Sequence, residues 1–259
     1  MSRMLLFTYA PAWAAAREFA AAGRRSEALA KLATVLSSPN LPDDVAAAAN
    51  RLAGELHLTA GRFANARRHL LAAAKLDPQN AELHHLIGVA FQDDPYGSDA
   101  RAARRFKLAV ELAPDNAAFR AAFGLALVRL NRVRAGLKHA DAAVALAPSD
   151  VAVLSVVVQA FREADRPERG LKVISQAMFL APSDAGVRQL WSRVRFDVTQ
   201  AEQAKSPKAK WLGKPTFLPF LRVNPSTPAT PGEGGIVRHD LGVRPAPHFN
   251  RLRAYGDRA

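Results

Sequence analysis

Four short segments of this sequence share a leucine, a proline two residues later, and an Asn or Asp two residues after that. The segments begin at Leu76, Leu112, Leu146 and Leu180, and their prolines lie 36, 34 and 34 residues apart. A proline ends a helix, and an Asn or Asp two residues later can accept hydrogen bonds from the first free N–H groups of the next helix. The interval therefore predicts units in which one helix stops and another starts at the same phase.

Small residues recur at two further positions of each unit. The first series is Gly54, Gly88 and Gly124, and the second is Ala66, Ala102, Gly136 and Gly170. Larger or apolar residues follow the second series at helical spacing: Leu70, Phe106, Ala140 and Ile174, then Ala73, Ala109, Ala143 and Ala177. A glycine inside a helix costs roughly 1 kcal/mol relative to alanine, so glycine repeated at one phase indicates close backbone packing. Each unit is predicted to be a helical hairpin that stacks on its neighbours.

This pattern resembles the tetratricopeptide repeat (TPR), a 34-residue helical hairpin with small residues at its eighth and twentieth positions and a proline near its end. The resemblance implies an all-α, right-handed α-solenoid of antiparallel helical hairpins with an irregular C-terminal tail. The repeats would span 47–80, 81–116, 117–150 and 151–184. A degenerate first hairpin and its loop would occupy 1–46, a capping helix 185–204, and a basic, Pro- and Gly-rich extended tail 205–259.

The sequence departs from the TPR pattern at two places that bear on packing. Val158 stands where the last unit should carry a small residue, and the turn from Asp93 to Gly97 has two extra residues.

Composition and motifs argue against several classes of protein. There is no cysteine, and so no disulfide framework, thiolate zinc site or cysteine nucleophile. No phosphate-binding loop, nucleophile elbow, metal-ligand spacing or paired-carboxylate motif is present. No apolar run reaches the roughly 20 residues that a membrane-spanning helix needs. We therefore expect no enzymatic activity, no cofactor, no metal site and no transmembrane segment.

In TPR proteins the first helix of each hairpin lines a groove, and the resemblance carries this role onto a set of positions here. The groove residues are Trp13, Arg17, Arg51, Glu55, His85, Gln92, Leu125, Val128, Gln159 and Arg162. Their mixture of charges around an apolar middle favours an extended or helical peptide with apolar anchors. The alternative is that some of these side chains only pack against adjacent helices.

The second helices carry basic residues at one repeated phase. This basic ladder consists of Arg68, Arg104, Lys138 and Lys172, and a second basic series near the helix starts consists of Arg24, Arg62, Arg132 and Arg166. With a formal net charge of +13, an acidic partner would be attracted to such a surface. The alternative, which we favour, is a solvated outer face in a bacterial protein whose Arg-rich composition reflects a GC-rich genome.

The tail has a different composition from the rest of the chain. Residues 205–259 hold eight of the 17 prolines and a net charge of +7. A segment of this kind does not form a core of its own and is expected to be irregular or disordered when alone. Apolar anchors lie between its prolines: Trp211, Phe217, Leu218, Phe220 and Leu221. We expect the tail to run into a multisubunit assembly; binding in this chain's own groove and binding to nucleic acid are the alternatives.

The sequence therefore predicts a non-catalytic protein–protein interaction scaffold or assembly subunit of a larger complex. It would bind one partner through the solenoid groove and anchor through the tail. The alternative is a nucleic-acid-associated basic protein that uses the ladders and the tail. We expect a cytoplasmic location; a membrane-associated complex and, because Met1–Ala14 loosely resembles a secretory signal, periplasmic export are alternatives.

Overall fold

The computed structural model of the protein describes residues 9–205, with side chains to residue 203. This part of the chain folds into eleven helices and contains no strand, which confirms the all-α solenoid. The helices are α1 (Ala10–Ala21), α2 (Arg25–Leu36), α3 (Asp43–Thr59), α4 (Phe63–Leu76), α5 (Ala81–Gln92), α6 (Asp99–Leu112), α7 (Ala117–Arg129), α8 (Val133–Leu146), α9 (Val151–Glu163), α10 (Pro167–Leu180) and α11 (Ala185–Lys205). None of these helices has both the length and the apolar character needed to cross a membrane.

The residues that follow each proline cap the next helix. Asn80 and Asn116 each accept a hydrogen bond from the backbone N–H three residues later, at 3.3 and 3.2 Å. Asp150 accepts from the N–H groups two and three residues later, and Asp184 from the one three residues later, at 3.0 Å. Such caps satisfy N–H groups that have no partner inside the helix. The predicted helix starts are confirmed.

The turns inside four hairpins share one geometry, and this geometry places the second basic series. Gly23, Gly61, Asn131 and Asp165 have positive φ angles of 73°, 69°, 61° and 56°. Glycine, Asn and Asp adopt this left-handed conformation most readily, and it ends a helix sharply. The next residue in each case is an arginine, which occupies the N-cap of the following helix without a side-chain capping bond.

The helix α3 begins earlier than the predicted first repeat at residue 47. Pro42, in an extended conformation, precedes the helix, and Asp43 and Asp44 form its acidic first turn. Acidic side chains near a helix N-terminus interact favourably with the helix dipole, which explains the extra turn. Part of the predicted connecting loop is therefore helical.

The predicted core positions are buried. Leu70, Phe106, Ala140 and Ile174 are fully buried. So are the alanines at the predicted small and apolar positions: Ala66, Ala102, Ala73, Ala109, Ala143 and Ala177. The backbones of α7 and α8 approach each other closely: a Cβ atom added to Gly136 would lie 2.6 Å from the carbonyl oxygen of Gly124. A Cβ added to Gly124 would in turn lie 2.8 Å from the carbonyl oxygen of Gly136. Backbone meets backbone here, so neither position accommodates a side chain.

The departure at Val158 has a visible effect on the packing inside its own hairpin, α9 and α10. A Cβ added to Gly170 would meet no atom closer than Phe161 Cβ at 3.6 Å and Val158 Cγ1 at 3.7 Å. Val158 thus fills the space that a closer approach of α9 and α10 would use. The glycine of α10 is not required by packing.

An ion pair holds the long turn between α5 and α6 against α4. Arg67 donates to the carboxylate of Asp94 at 2.6 Å and to the carbonyl oxygen of Ala90 at 2.8 Å. The Asp94 carboxylate also accepts from the backbone N–H of Tyr96 at 2.9 Å. The two extra residues are accommodated as an ordered turn.

The last helix covers the end of the hairpin stack. Val187, Leu190, Val194 and Val198 of α11 are buried and pack in one cluster with residues of α9 and α10 such as Ile174. This is the apolar stripe expected of a capping helix.

Alanine substitutions at two glycines separate required from tolerated positions. Gly136→Ala is expected to destabilise the fold by about 2 kcal/mol, because the new methyl group overlaps backbone atoms of α7. Gly170→Ala is expected to stabilise by roughly 0.5–1 kcal/mol, because alanine favours the helix and no atom obstructs it. Urea unfolding followed by circular dichroism measures both. Equal effects at the two positions would contradict this packing account.

Candidate functional site

The first helices of the hairpins are grouped here as the first-helix face (α1, α3, α5, α7 and α9), because neighbouring members contact one another, as α3 does α5 and α7 does α9. Arg51 of α3 forms an ion pair with Glu82 of α5 at 2.9 Å. Arg129 of α7 donates two hydrogen bonds to Glu163 of α9, at 3.0 and 3.1 Å. These cross-helix bonds hold neighbouring hairpins in register.

A pocket of about 540 Å³ opens on this face between α1 and α3. Four residues predicted from the sequence line it together: Trp13, Arg17, Arg51 and Glu55. Leu52 and Leu56 of α3 add apolar surface. The pocket therefore combines an indole and two leucines with charged groups. We call it the N-terminal pocket.

The two arginines of the N-terminal pocket differ in their ion pairs. The Arg51 guanidinium donates to Glu55 at 2.8 Å and also pairs with Glu82, and the bond to Glu55 raises the pKa of Arg51 further above its ordinary value. Arg17 is exposed and forms no ion pair within the described part of the chain. Arg17 is therefore the cation that remains available to a bound molecule, because two carboxylates already offset the charge of Arg51.

The structure corrects the prediction for the middle of the face. Leu125 and Val128 are 1% and 5% exposed and lie inside a core cluster between α7, α8 and α9. The contact of Gly124 with Gly136 brings α8 close, and Val128 Cγ2 lies 2.7 Å from the place where a Gly136 Cβ would be. These two side chains are packing residues and do not line a groove.

His85 and Gln92 of α5 are only partly accessible. The imidazole of His85 packs between Phe106 and Phe119, with ring centroids 5.4 and 4.9 Å away. Buried atoms of both residues, His85 Nδ1 and Gln92 Oε1, have no hydrogen-bond partner among the described residues. Their expected role at the groove is thus limited to the part of each side chain that reaches the surface.

The remaining predicted residues line a second, smaller pocket. Gln159 and Arg162 of α9 lie with Arg193 and Asp197 of α11 around a space of about 250 Å³. Gln159 donates to Glu163 at 2.9 Å, and Arg162 lies 4.0 Å from the carboxylate of Asp197. Sequence reasoning had divided these groups between a repeat and a cap, and the structure brings them together.

Several residues of these pockets were missed from the sequence. Leu52, Leu56 and Thr59 of α3 follow Ala48 at helical spacing, and this periodicity is the signal that could have identified them. Arg193 and Asp197 lie on the capping helix, which has no repeat phase from which to assign them.

The basic ladder lies on the opposite helices and is fully on the surface. Arg68, Arg104, Lys138 and Lys172 are all exposed, on α4, α6, α8 and α10, and none is in an ion pair with another described residue. The tail anchors Trp211, Phe217, Leu218, Phe220 and Leu221 lie outside the described residues. So does most of the segment that resembles a secretory signal.

The described residues contain no group of three or more His, Cys, Asp or Glu side chains that could hold a metal ion. The first-helix face presents apolar surface, hydrogen-bonding groups and charged side chains.

Burial of the imidazoles predicts a pH-dependent stability. Burial lowers the pKa of His85 from 6.5 to about 4, and it also lowers the pKa values of His57, His69 and His139. Between about pH 4 and pH 6.5 the unfolded chain therefore binds more protons than the folded chain. These imidazoles do not reduce the free energy of unfolding above about pH 6.5, and they lower it as the pH drops toward 4.

A His85→Leu variant measures how much His85 contributes to the pH dependence of stability. Between pH 7 and pH 4.5 it should lose less stability than the unmodified chain, by on the order of 2 kcal/mol, as measured by urea unfolding at the two pH values. Identical pH dependence in the two proteins would show that His85 is not desolvated in the folded state.

Comparison with solved structures finds the same fold in several TPR proteins. A tetratricopeptide repeat protein from Parabacteroides merdae has a TM-score of 0.60 at 13% identity, covering 76% of this chain and 75% of its own. A thermophilic TPR protein of Thermus thermophilus has a TM-score of 0.56 at 15% identity, covering 73% of this chain and 100% of its own. YrrB, described as a TPR protein with an unusual peptide-binding site, has a TM-score of 0.52 at 18% identity, covering 70% of this chain and 90% of its own.

No protein-family model matches the sequence, and no curated protein matches it significantly. At these identities the structural likeness shows the fold alone. The fold is that of TPR proteins, as the repeat predicted.

Proposed function

We propose that this chain, whose fold is that of TPR proteins, is a non-catalytic protein-interaction scaffold that holds a segment of a partner protein on its first-helix face. The observation that carries the proposal is the N-terminal pocket, in which Trp13, Arg17 and Leu52 line one open space of about 540 Å³. A volume of this order accommodates one or two large side chains of a bound peptide.

The chemistry of the pocket favours an apolar anchor over a single carboxylate. Tryptophan and arginine are the residue types that most often dominate binding energy at protein interfaces. Arg51 is already held by Glu55 and Glu82, so it offers little net charge to a ligand. A bulky apolar side chain against Trp13, with an acidic group near Arg17, fits this arrangement best.

The comparison with YrrB supports a peptide as the class of ligand, since that TPR protein is described as having a peptide-binding site. The nucleic-acid alternative has no such support among the structural neighbours. The exposed ladder is compatible with any anionic partner and does not single out nucleic acid.

The tail extends the proposal to an assembly subunit. Its apolar anchors alternate with prolines in a segment of net charge +7, a composition typical of chains that order on a partner. We place this second contact in a larger, cytoplasmic protein complex. The solenoid would hold one protein and the tail another.

Substitutions in the N-terminal pocket test the first contact. Trp13→Ala and Arg17→Glu should each weaken binding of the principal partner at least tenfold, because each removes a central anchor or reverses the available charge. The partner is identified by affinity purification of the full chain with mass spectrometry, and its affinity is then measured by calorimetry.

Lys31→Glu is the matched control for Arg17→Glu, since Lys31 is also exposed but lies on α2, a second helix. It should leave the affinity unchanged. Thermal unfolding of Trp13→Ala shows whether its effect comes from lost packing. Unchanged affinity in both pocket variants would refute the proposed site.

Deletion of residues 206–259 tests the tail. The deletion should release one set of proteins from the purified complex while another set stays bound to the solenoid, and both sets should survive nuclease treatment. Loss of all partners after nuclease would instead support the nucleic-acid alternative. Retention of every partner by the truncated chain would rule out the anchoring role.

A further inference from the structure

An apolar cleft lies outside the first-helix face, between the second helices α8 and α10. It encloses about 490 Å³ and is lined by Val144, Pro148, Lys172, Val173, Phe179 and Leu180, among others. We call it the outer cleft. None of the groove residues predicted from the sequence belongs to it.

The aromatic residue of the outer cleft is unusual within the repeat itself. Phe179 is 86% exposed and the adjacent Leu180 is 59% exposed. The repeat-equivalent positions of the three preceding second helices hold Lys75, Glu111 and Ala145. These residues show that the fold does not require an aromatic side chain here, and an exposed phenylalanine beside an apolar cleft is typical of an interaction site.

Among the described residues that line the outer cleft, the charged one is a lysine. Lys172 lines the cleft and has no ion-pair partner among the described residues, and Lys138 of the same ladder is exposed on α8. The neighbouring Arg169 is neutralised by Asp141, with both carboxylate oxygens 3.1 Å from its guanidinium. This ion pair bridges α8 and α10, and Lys172 remains the unpaired cation in the lining of the cleft.

Charge complementarity selects the occupant. The tail of this chain carries a net charge of +7, and the whole chain carries +13, so the tail or a second copy would bring positive charge toward Lys172 and Lys138. An acidic segment would be attracted instead. A cleft between two helices also suits a single inserted side chain better than a flat lipid surface.

We infer that the outer cleft is a second docking surface, which binds an acidic amphipathic segment of a partner protein. A bulky apolar side chain of that segment lies in the cleft against Phe179, and an Asp or Glu pairs with Lys172. This site is independent of the N-terminal pocket, so two segments can bind at once.

The absence of cysteine allows a direct test on the full chain. Ala145→Cys, at an exposed position of α8 beside Val144, takes an environment-sensitive fluorophore as a reporter. Dodecapeptides are selected from a random phage-displayed library on the full chain and titrated against the labelled protein. The expected result is a group of peptides rich in Asp or Glu with Leu, Phe or Trp that changes the fluorescence.

Matched variants test whether the selected peptides bind in the outer cleft. Phe179→Ala copies the residue of the preceding repeat, and together with Lys172→Glu it should weaken these peptides at least tenfold. Phe196→Ala, at a 63% exposed position on α11, and Arg104→Glu, at the same ladder phase on α6, should leave the affinity unchanged. Trp13→Ala should also leave it unchanged, which separates this site from the N-terminal pocket. Circular dichroism should show equal melting temperatures for Phe179→Ala and the unmodified chain.

Three outcomes would overturn the inference. In the first, no selected peptide depends on Phe179, or the dependent peptides are basic. In the second, the reporter responds to phosphatidylglycerol vesicles and to no peptide, which would make the surface a membrane contact. In the third, the reporter responds only to rising concentration of the chain itself, which would indicate self-association.

Discussion

The contact on which the central hairpin depends is the one between Gly124 and Gly136, where the backbones of α7 and α8 touch without intervening side chains. Gly54 and Gly88 hold the position of Gly124 in the two preceding hairpins, where they face the buried side chains of Leu70 and Phe106, and Val158 holds it in the last hairpin. The first helices of neighbouring hairpins also pack on one another. Their side-chain bonds, such as Arg129 with Glu163, then define the face on which a partner would bind.

The two faces of the described chain differ in how their charges are used. On the first-helix face, Arg51 and Arg129 are paired with glutamates across neighbouring helices, and apolar surface around Trp13 is left as the distinguishing feature. On the second helices, the ladder from Arg68 to Lys172 has no such partners. Paired charges on a surface contribute mainly register and specificity, whereas unpaired charges attract opposite ones over a distance set by salt. The two faces therefore suit different ligands.

Much of the fold could be predicted from the sequence because each feature was local and repeated. The caps at Asn80 and Asn116 and the buried alanines of the helix crossings follow from spacing alone. The site could be predicted only in part. Position within a TPR repeat placed Leu125 and Val128 in a groove, but the middle of α7 is apolar all round, and such a segment is buried.

Other features depend on contacts between a repeat and a helix that lies outside the repeat pattern, so spacing within the repeat does not predict them. The pocket between Gln159 and Asp197 forms because the capping helix packs against α9, a contact that no repeat position specifies. The outer cleft has a signal that was present in the repeat: Phe179 stands where other units carry polar or small residues.

We propose that a partner lies on the first-helix face at the N-terminal pocket. Photo-crosslinking tests it most directly, with benzoylphenylalanine placed singly at Arg17 of that pocket and at Lys31 of the neighbouring second helix. The account predicts that the partner purified with the full chain is crosslinked from position 17 and not from position 31. Crosslinking from position 31 alone would contradict it.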